Sequence, residues 1–291
     1  MKYHAVLALL VLTTLVNPGR GESRDKQSLV FKGSFELNDR EGLARIARYT
    51  EITGTLLIDS DLSEIALPNL RAVGGTLRFR RNRHLVSLSV PNLTSVGIDL
   101  RLEENRALTS FELPNLEQVG NELWIRGNAA LAGVRLPALV RFEGDLRINS
   151  NKALSAVSLP ALERLGRYLW VHSNSALTSF SLPRLNHIGQ NLWVANNPVL
   201  MRVDLPALER VGGDITVEYN DSLANFELRA LRRVGRRLAV RYNQALAQCL
   251  VEHLSVQIQG AGGVEGEITI LNNNKDCECG ERDGQMAAQC L

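Results

Sequence analysis

Trp124, Trp170 and Trp193 are the only tryptophans in the chain, and they recur at multiples of 23 residues. Arg78, Arg101 and Arg147 fill other positions of the same series, while Arg126 and His172 stand two residues after two of its members. Flat indole rings beside guanidinium and imidazole groups make an apolar platform edged with directional donors. Such a set anchors protein surfaces, where Trp and Arg dominate binding energy, or stacks on the faces of sugar rings. The same residues can instead cover one another as cross-strand packing. Catalysis would need convergent carboxylates, or a base with an orienting partner. Glu103 and Glu218 belong to one series but lie five repeats apart, and Glu103 and Glu104, though adjacent, diverge. His172 has no carboxylate in its neighbouring positions. With no Ser-His-Asp set and no metal-ligand spacing, the expectation is a non-catalytic chain without metal or cofactor.

What positions these residues is a repeat. Pro68, Pro91, Pro114, Pro137, Pro160, Pro183 and Pro206 step by 23 residues, as do Asn82, Asn105, Asn128, Asn151, Asn174, Asn197, Asn220 and Asn243. A Leu follows each Asn by three residues, and apolar residues precede it by five and by three. The unit reads L-x-h-x-x-N-x-x-L, a second apolar alternation, then L-P-x-L-x-x-V-G. Self-similarity at a fixed period of this length is the signature of a solenoid. L-x-h alternates with period two, which predicts a short strand with one buried face, paired in parallel with its copy one coil away. The second alternation predicts another short strand ending at the Pro. Asn is expected to make the sharp turn after the first strand and to form an amide ladder, a structural role. The Gly after each Val is expected to serve a tight turn, although one copy carries Glu143. Residues four and two before each Asn point outward, which puts the Trp, Arg and His residues on one face.

The ends depart from the repeat, as caps must. Residues 1–4 carry Lys2, 5–16 are apolar apart from two Thr, and Gly19 and Gly21 flank a cleavage point before Glu22. This is the layout of a secretory signal peptide, too short to span a bilayer. Neither a lipid-anchor Cys nor a hydrophobic tail is seen, so no membrane span or anchor is expected. Asn38 or Asp39 is placed to cap a helix with Leu43, Ile46 and Ala47 on one face. A first, imperfect coil follows with Asp59 in the Asn slot. A second helix is expected from about Leu250 and a last strand at 268–271. The expected divisions are a signal peptide at 1–21, an N-terminal cap at 22–51, the solenoid at 52–248, a C-terminal cap at 249–279 and a tail at 280–291.

Cys249, Cys277, Cys279 and Cys290 all fall late. In an exported chain an even count favours disulfides. A bridge between Cys277 and Cys279 would be strained, so Cys249 pairs with one of them and Cys290 with the other. Charge gives no sign of a nucleic-acid binder, with 33 Lys and Arg against 31 Asp and Glu. "RFRRNR" and "RALRRVGRR" read as solvated faces.

The phrases ITGTLLI at 52–58, the repeated LPNL…VGG, and the closing CLVEHL…GEITILNNN…C resemble the receptor L-domain family, leucine-rich-repeat-like β-helices. The likeness spans roughly residues 31–279 and is strongest to exported bacterial members with long regular arrays. It implies an all-β-dominated repeat protein, a right-handed parallel β-solenoid with helical caps at both ends. It also implies a role in protein binding or at a cell wall or surface. It transfers no binding residue, and the Cys-rich module and kinase of animal receptors have no counterpart here. The combined expectation is a secreted or cell-surface module that binds a protein or glycan through the Trp/Arg face. The alternative is a structural or adhesion protein of the envelope that associates with itself.

Overall fold

The computed structural model describes residues 29–275 and the backbone of an antiparallel pair, Glu281–Arg282 with Gln285–Met286. The expected signal segment and Cys277, Cys279 and Cys290 lie outside the described residues. The chain winds into a parallel β-solenoid of about nine turns. Its main wall is an eleven-stranded parallel sheet. In chain order its strands are β1 (Phe35–Leu37), β2 (Leu56–Ile58), β3 (Leu77–Arg80), β4 (Asp99–Glu103), β5 (Glu122–Arg126), β6 (Asp145–Asn149), β7 (Leu169–His172), β8 (Leu192–Ala195), β9 (Ile215–Glu218), β10 (Leu238–Arg241) and β11 (Ile268–Leu271). Register is constant, so Leu100 faces Leu77 and Leu123, and Leu169 faces Leu192. The inward Leu, Ile, Val and Phe of β1–β10 join one continuous buried core, against which Ile268 and Ile270 of β11 pack partly buried.

Each coil carries a second strand before the Pro, as expected, and a third of two residues before the Gly, which was not. Two residues are too few for an alternation to be visible in sequence. The Gly column has a different cause from a turn conformation. Gly97, Gly120, Gly189 and Gly212 all lack a positive φ, yet a Cβ on Gly120 or Gly189 would lie 1.9 Å from the carbonyl oxygen of the glycine one coil earlier. Close approach of successive coils is what demands Gly. At the coil that carries Phe142–Glu143 instead, both lateral sheets break. Gln118–Val119 ends one five-stranded sheet and Arg141–Phe142 begins the next; likewise Ser110–Glu112 ends one sheet and Gly133–Arg135 begins another. Only the main sheet runs across the fault. A cavity of about 780 Å³ opens there, lined in part by Val119, Gly120, Val140, Phe142 and Glu143.

The Asn ladder is present, with two corrections. The left-handed residue of each turn is the one before the Asn: Arg81, Glu104, Ser150, Ser173, Asn196, Tyr219 and Tyr242 have φ between 56° and 60°. The Asn side chain, fully buried, holds that turn from behind. Its Oδ1 accepts from the backbone N–H and Nδ2 of the preceding rung, and its own Nδ2 donates onward, as from Asn82 to Asn105 at 2.8 Å. The last rung is Asn273, which receives Asn243 at 3.2 Å. At the start, Asp59 is exposed and lies outside the ladder; buried Ser60 donates its N–H to Asn82 Oδ1 at 2.8 Å instead. The first coil is two residues shorter, Ile58 pairing with Phe79, which displaces the slot.

Two helices flank the coils. α1 (Arg40–Ile46) is capped by Asp39, whose carboxylate accepts from Gly42 N–H at 2.7 Å, and it buries Ile46. α2 (Gln248–Ala261) begins two residues before the expected Leu250 and buries Val251, Leu254 and Ile258. Cys249 sits in its first turn.

Candidate functional site

All eight candidate residues lie on the outward face of the main sheet. Arg78, Arg101, Trp124, Arg147, Trp170 and Trp193 form one row across β3–β8, and Arg126 and His172 belong to the row two residues on. All are partly buried. They bury one another.

The first half of the face is a closed ionic lattice. A third row, six residues before each Asn, supplies Asp99, Glu122 and Asp145, all buried. Arg101 Nη2 reaches both Asp99 Oδ2 and Glu122 Oε2 at 2.9 Å. Arg147 reaches Glu122 Oε1 through Nε at 3.2 Å and Asp145 Oδ2 through Nη2 at 2.7 Å. Arg167 closes the chain on Asp145 Oδ1 at 3.1 Å. Arg101 Nε, Arg147 Nε and Asp145 Oδ1 have no hydrogen-bond partner among the described residues, so the contacts of Arg147 Nε with Glu122 and of Arg167 Nε with Asp145 Oδ1 are Coulombic. Burial pushes the Glu122 carboxyl above its usual range, and the guanidiniums of Arg101 and Arg147 only partly offset this. The lattice spans β4–β6, the three five-residue strands, and so straddles the fault in the lateral walls. These carboxylates escaped sequence reasoning because their row is interrupted at Tyr168 and Asn191. Arg78 pairs separately with Glu103, and Glu104 with Arg81 and Arg126. The hydrogen bond from Arg81 leads in lowering the Glu104 carboxyl.

The three tryptophans differ. Trp124 lies under Arg101 and Arg126, 5.7 and 5.1 Å from its ring centroid, and its Nε1 donates to Asn149 Oδ1 at 2.9 Å. Trp170 carries Arg147 at 4.4 Å, and the Tyr168 ring tilts against it at 5.0 Å. Trp193 has His172 stacked at 4.8 Å and the edge of Trp170 at 6.0 Å, both from β7. Burial pushes the His172 imidazole below its ordinary pKa. Toward β9 the row falls to Thr216 and Ala239, and a groove of about 310 Å³ opens beside Trp193. Asp214 and Arg237 border it on one side, Glu218 and Arg241 on the other. Beyond Arg241, Tyr219 and Tyr242 stack almost parallel with centroids 4.9 Å apart. Neither tyrosine nor the groove was expected; the fall in side-chain size from Trp193 to Thr216 and Ala239 is the signal that sequence carries.

No family model, no curated protein and no solved structure matches this chain. Among the described residues no helix is long and apolar enough to cross a membrane.

Proposed function

We propose that this chain is an exported, non-catalytic recognition module whose Trp/Arg sheet face binds a protein or a glycan. The observation that carries the reading is the partial exposure of Trp170 and Trp193 on a wall fixed by eleven paired strands. A platform rigid before binding loses little conformational freedom on binding. Residues 1–21 serve as a cleaved leader that delivers the chain to the cell surface or medium. The likeness to receptor L-domains extends to a right-handed coil, with α1 and α2 as caps over the two ends of the core. Cys249 pairs with a cysteine of the C-terminal segment and ties α2 down. Self-association as a structural or adhesion protein is the second reading. It draws on the mixed charge of the face, where Arg78 pairs with Glu103 and Glu218 with Arg241, since such a face can complement a copy of itself.

The test is mature protein from Glu22 screened on a glycan and envelope-protein array. It runs beside a Trp124/Trp170/Trp193→Ala variant checked for folding by circular dichroism. Loss of a defined ligand in the variant supports the face; equal binding by both overturns it. Sedimentation over a range of concentrations checks the second reading, which expects a dimer that the variant fails to form.

A further inference from the structure

We infer that the groove beside Trp193 is a binding subsite for an uncharged sugar unit, with the indole as its stacking platform. The inference rests on the proposed recognition role of this face and assigns both the ligand class and the place. His172 covers Trp193 from the β7 side. The opposite side meets the space left by Thr216 and Ala239. At about 310 Å³ the groove lies at the small end of ligand sites.

Its polar groups decide the class. Asp214 accepts the Arg237 backbone N–H at 3.0 Å on Oδ1, and Arg236 approaches the same oxygen at 3.9 Å, while Oδ2 has no hydrogen bond among the described residues. Asn191 uses its Oδ1 for the Asp214 N–H at 3.0 Å and keeps its Nδ2 donors. The Thr216 hydroxyl offers a donor and an acceptor on the floor. Glu218 binds Arg241 Nε at 2.8 Å, and that bond leads in raising the Arg241 pKa, but the terminal guanidinium nitrogens remain to donate. Acceptors and donors therefore alternate around one aromatic face. Two carboxylates and two guanidiniums cancel in charge, so neither an anion nor a cation is favoured. Hydroxyls, each donor and acceptor at once, on a ring with an apolar face match this lining. In the lattice, by contrast, Arg101 and Arg147 are each shared between two carboxylates.

The experiment is calorimetric titration of mature protein with neutral oligosaccharides of glucose, galactose, mannose and N-acetylhexosamines, in α and β linkage, at low and high salt. At least one series is expected to bind with little salt dependence, since no net charge is involved. Trp193→Ala should weaken it about tenfold or more. Ala239→Phe, which fills the groove and leaves the indole in place, should abolish it. Arg184→Ala, on a lateral wall, should not change it. Absence of binding by every neutral series overturns the inference. If a protein ligand from the array is meanwhile lost in the triple Trp variant, the recognition role stands and only the sugar assignment falls. Sugar binding that survives both Trp193→Ala and Ala239→Phe places the site elsewhere and overturns the inference, and only its survival in the triple Trp variant would remove the face reading as well.

Discussion

Asn151 shows how one side chain holds three coils. Its Oδ1 accepts the backbone N–H and Nδ2 of Asn128 at 3.0 and 3.3 Å, while its Nδ2 donates to Ile125 O and to Asn174 Oδ1 at 3.0 and 3.2 Å. Asn151→Ala takes the acceptor from the buried Asn128 N–H and one bond each from Asn128 Nδ2, Ile125 O and Asn174 Oδ1, so a loss of about 3 kcal/mol is expected, read as a lower urea midpoint. His172 predicts a pH effect. Burial lowers its pKa in the folded chain, so its contribution is whole above about 6.5 and is lost as pH falls through the lower folded value. Between pH 7.5 and 5 the wild-type midpoint should therefore fall further than that of His172→Asn, with His187 supplying a remainder common to both. Equal slopes would exclude the effect. At this scale the ladder was legible because one Asn of every coil recurs at a fixed spacing of 23 residues. The left-handed position was not, because Arg81, Glu104, Ser150 and Tyr219 share no chemistry that announces a positive φ.

Strands were the most legible elements. The inward pairs at each L-x-h site and the last strand at Ile268–Leu271 lie where alternation placed them. What the pattern could not convey was spacing between coils. Glu143 was visible as an exception to the Gly column, but its meaning depends on a carbonyl 1.9 Å from where a Cβ at that position in neighbouring coils would sit. The ionic lattice over β4–β6 compensates at that place, holding the one wall that stays continuous. Arg101→Met leaves Asp99 and Glu122 buried with fewer partners and should cost about 3 kcal/mol. Arg184→Ala removes the exposed pair with Glu163, where the guanidinium side chain is 64% exposed against 27% for Arg101, and should cost less than about 1 kcal/mol. Chemical denaturation of the two variants side by side checks the contrast. Equal losses would mean that the lattice is ornamental.

Across the whole molecule the fault divides the lateral walls into two blocks that share the main sheet and the core. Stability in a solenoid is a sum of coil and neighbour terms, so one weak interface is felt locally. Hydrogen exchange should be faster at Arg141–Phe142, which has no paired strand on the preceding coil, than at Arg164–Leu165 and His187–Ile188, whose ladders are intact. Glu143→Gly should slow it by letting the coils close. Unchanged exchange in that variant would assign the opening to Phe142 alone. The position of the fault has a mechanical corollary. A rod cut through two of its three sides flexes about the third, which acts as the neutral surface and neither stretches nor shortens. In this chain that surface carries the Trp and Arg rows. The back of the molecule can gape and close under load while the spacing of the rings on its front, set by the strand-to-strand repeat, stays constant.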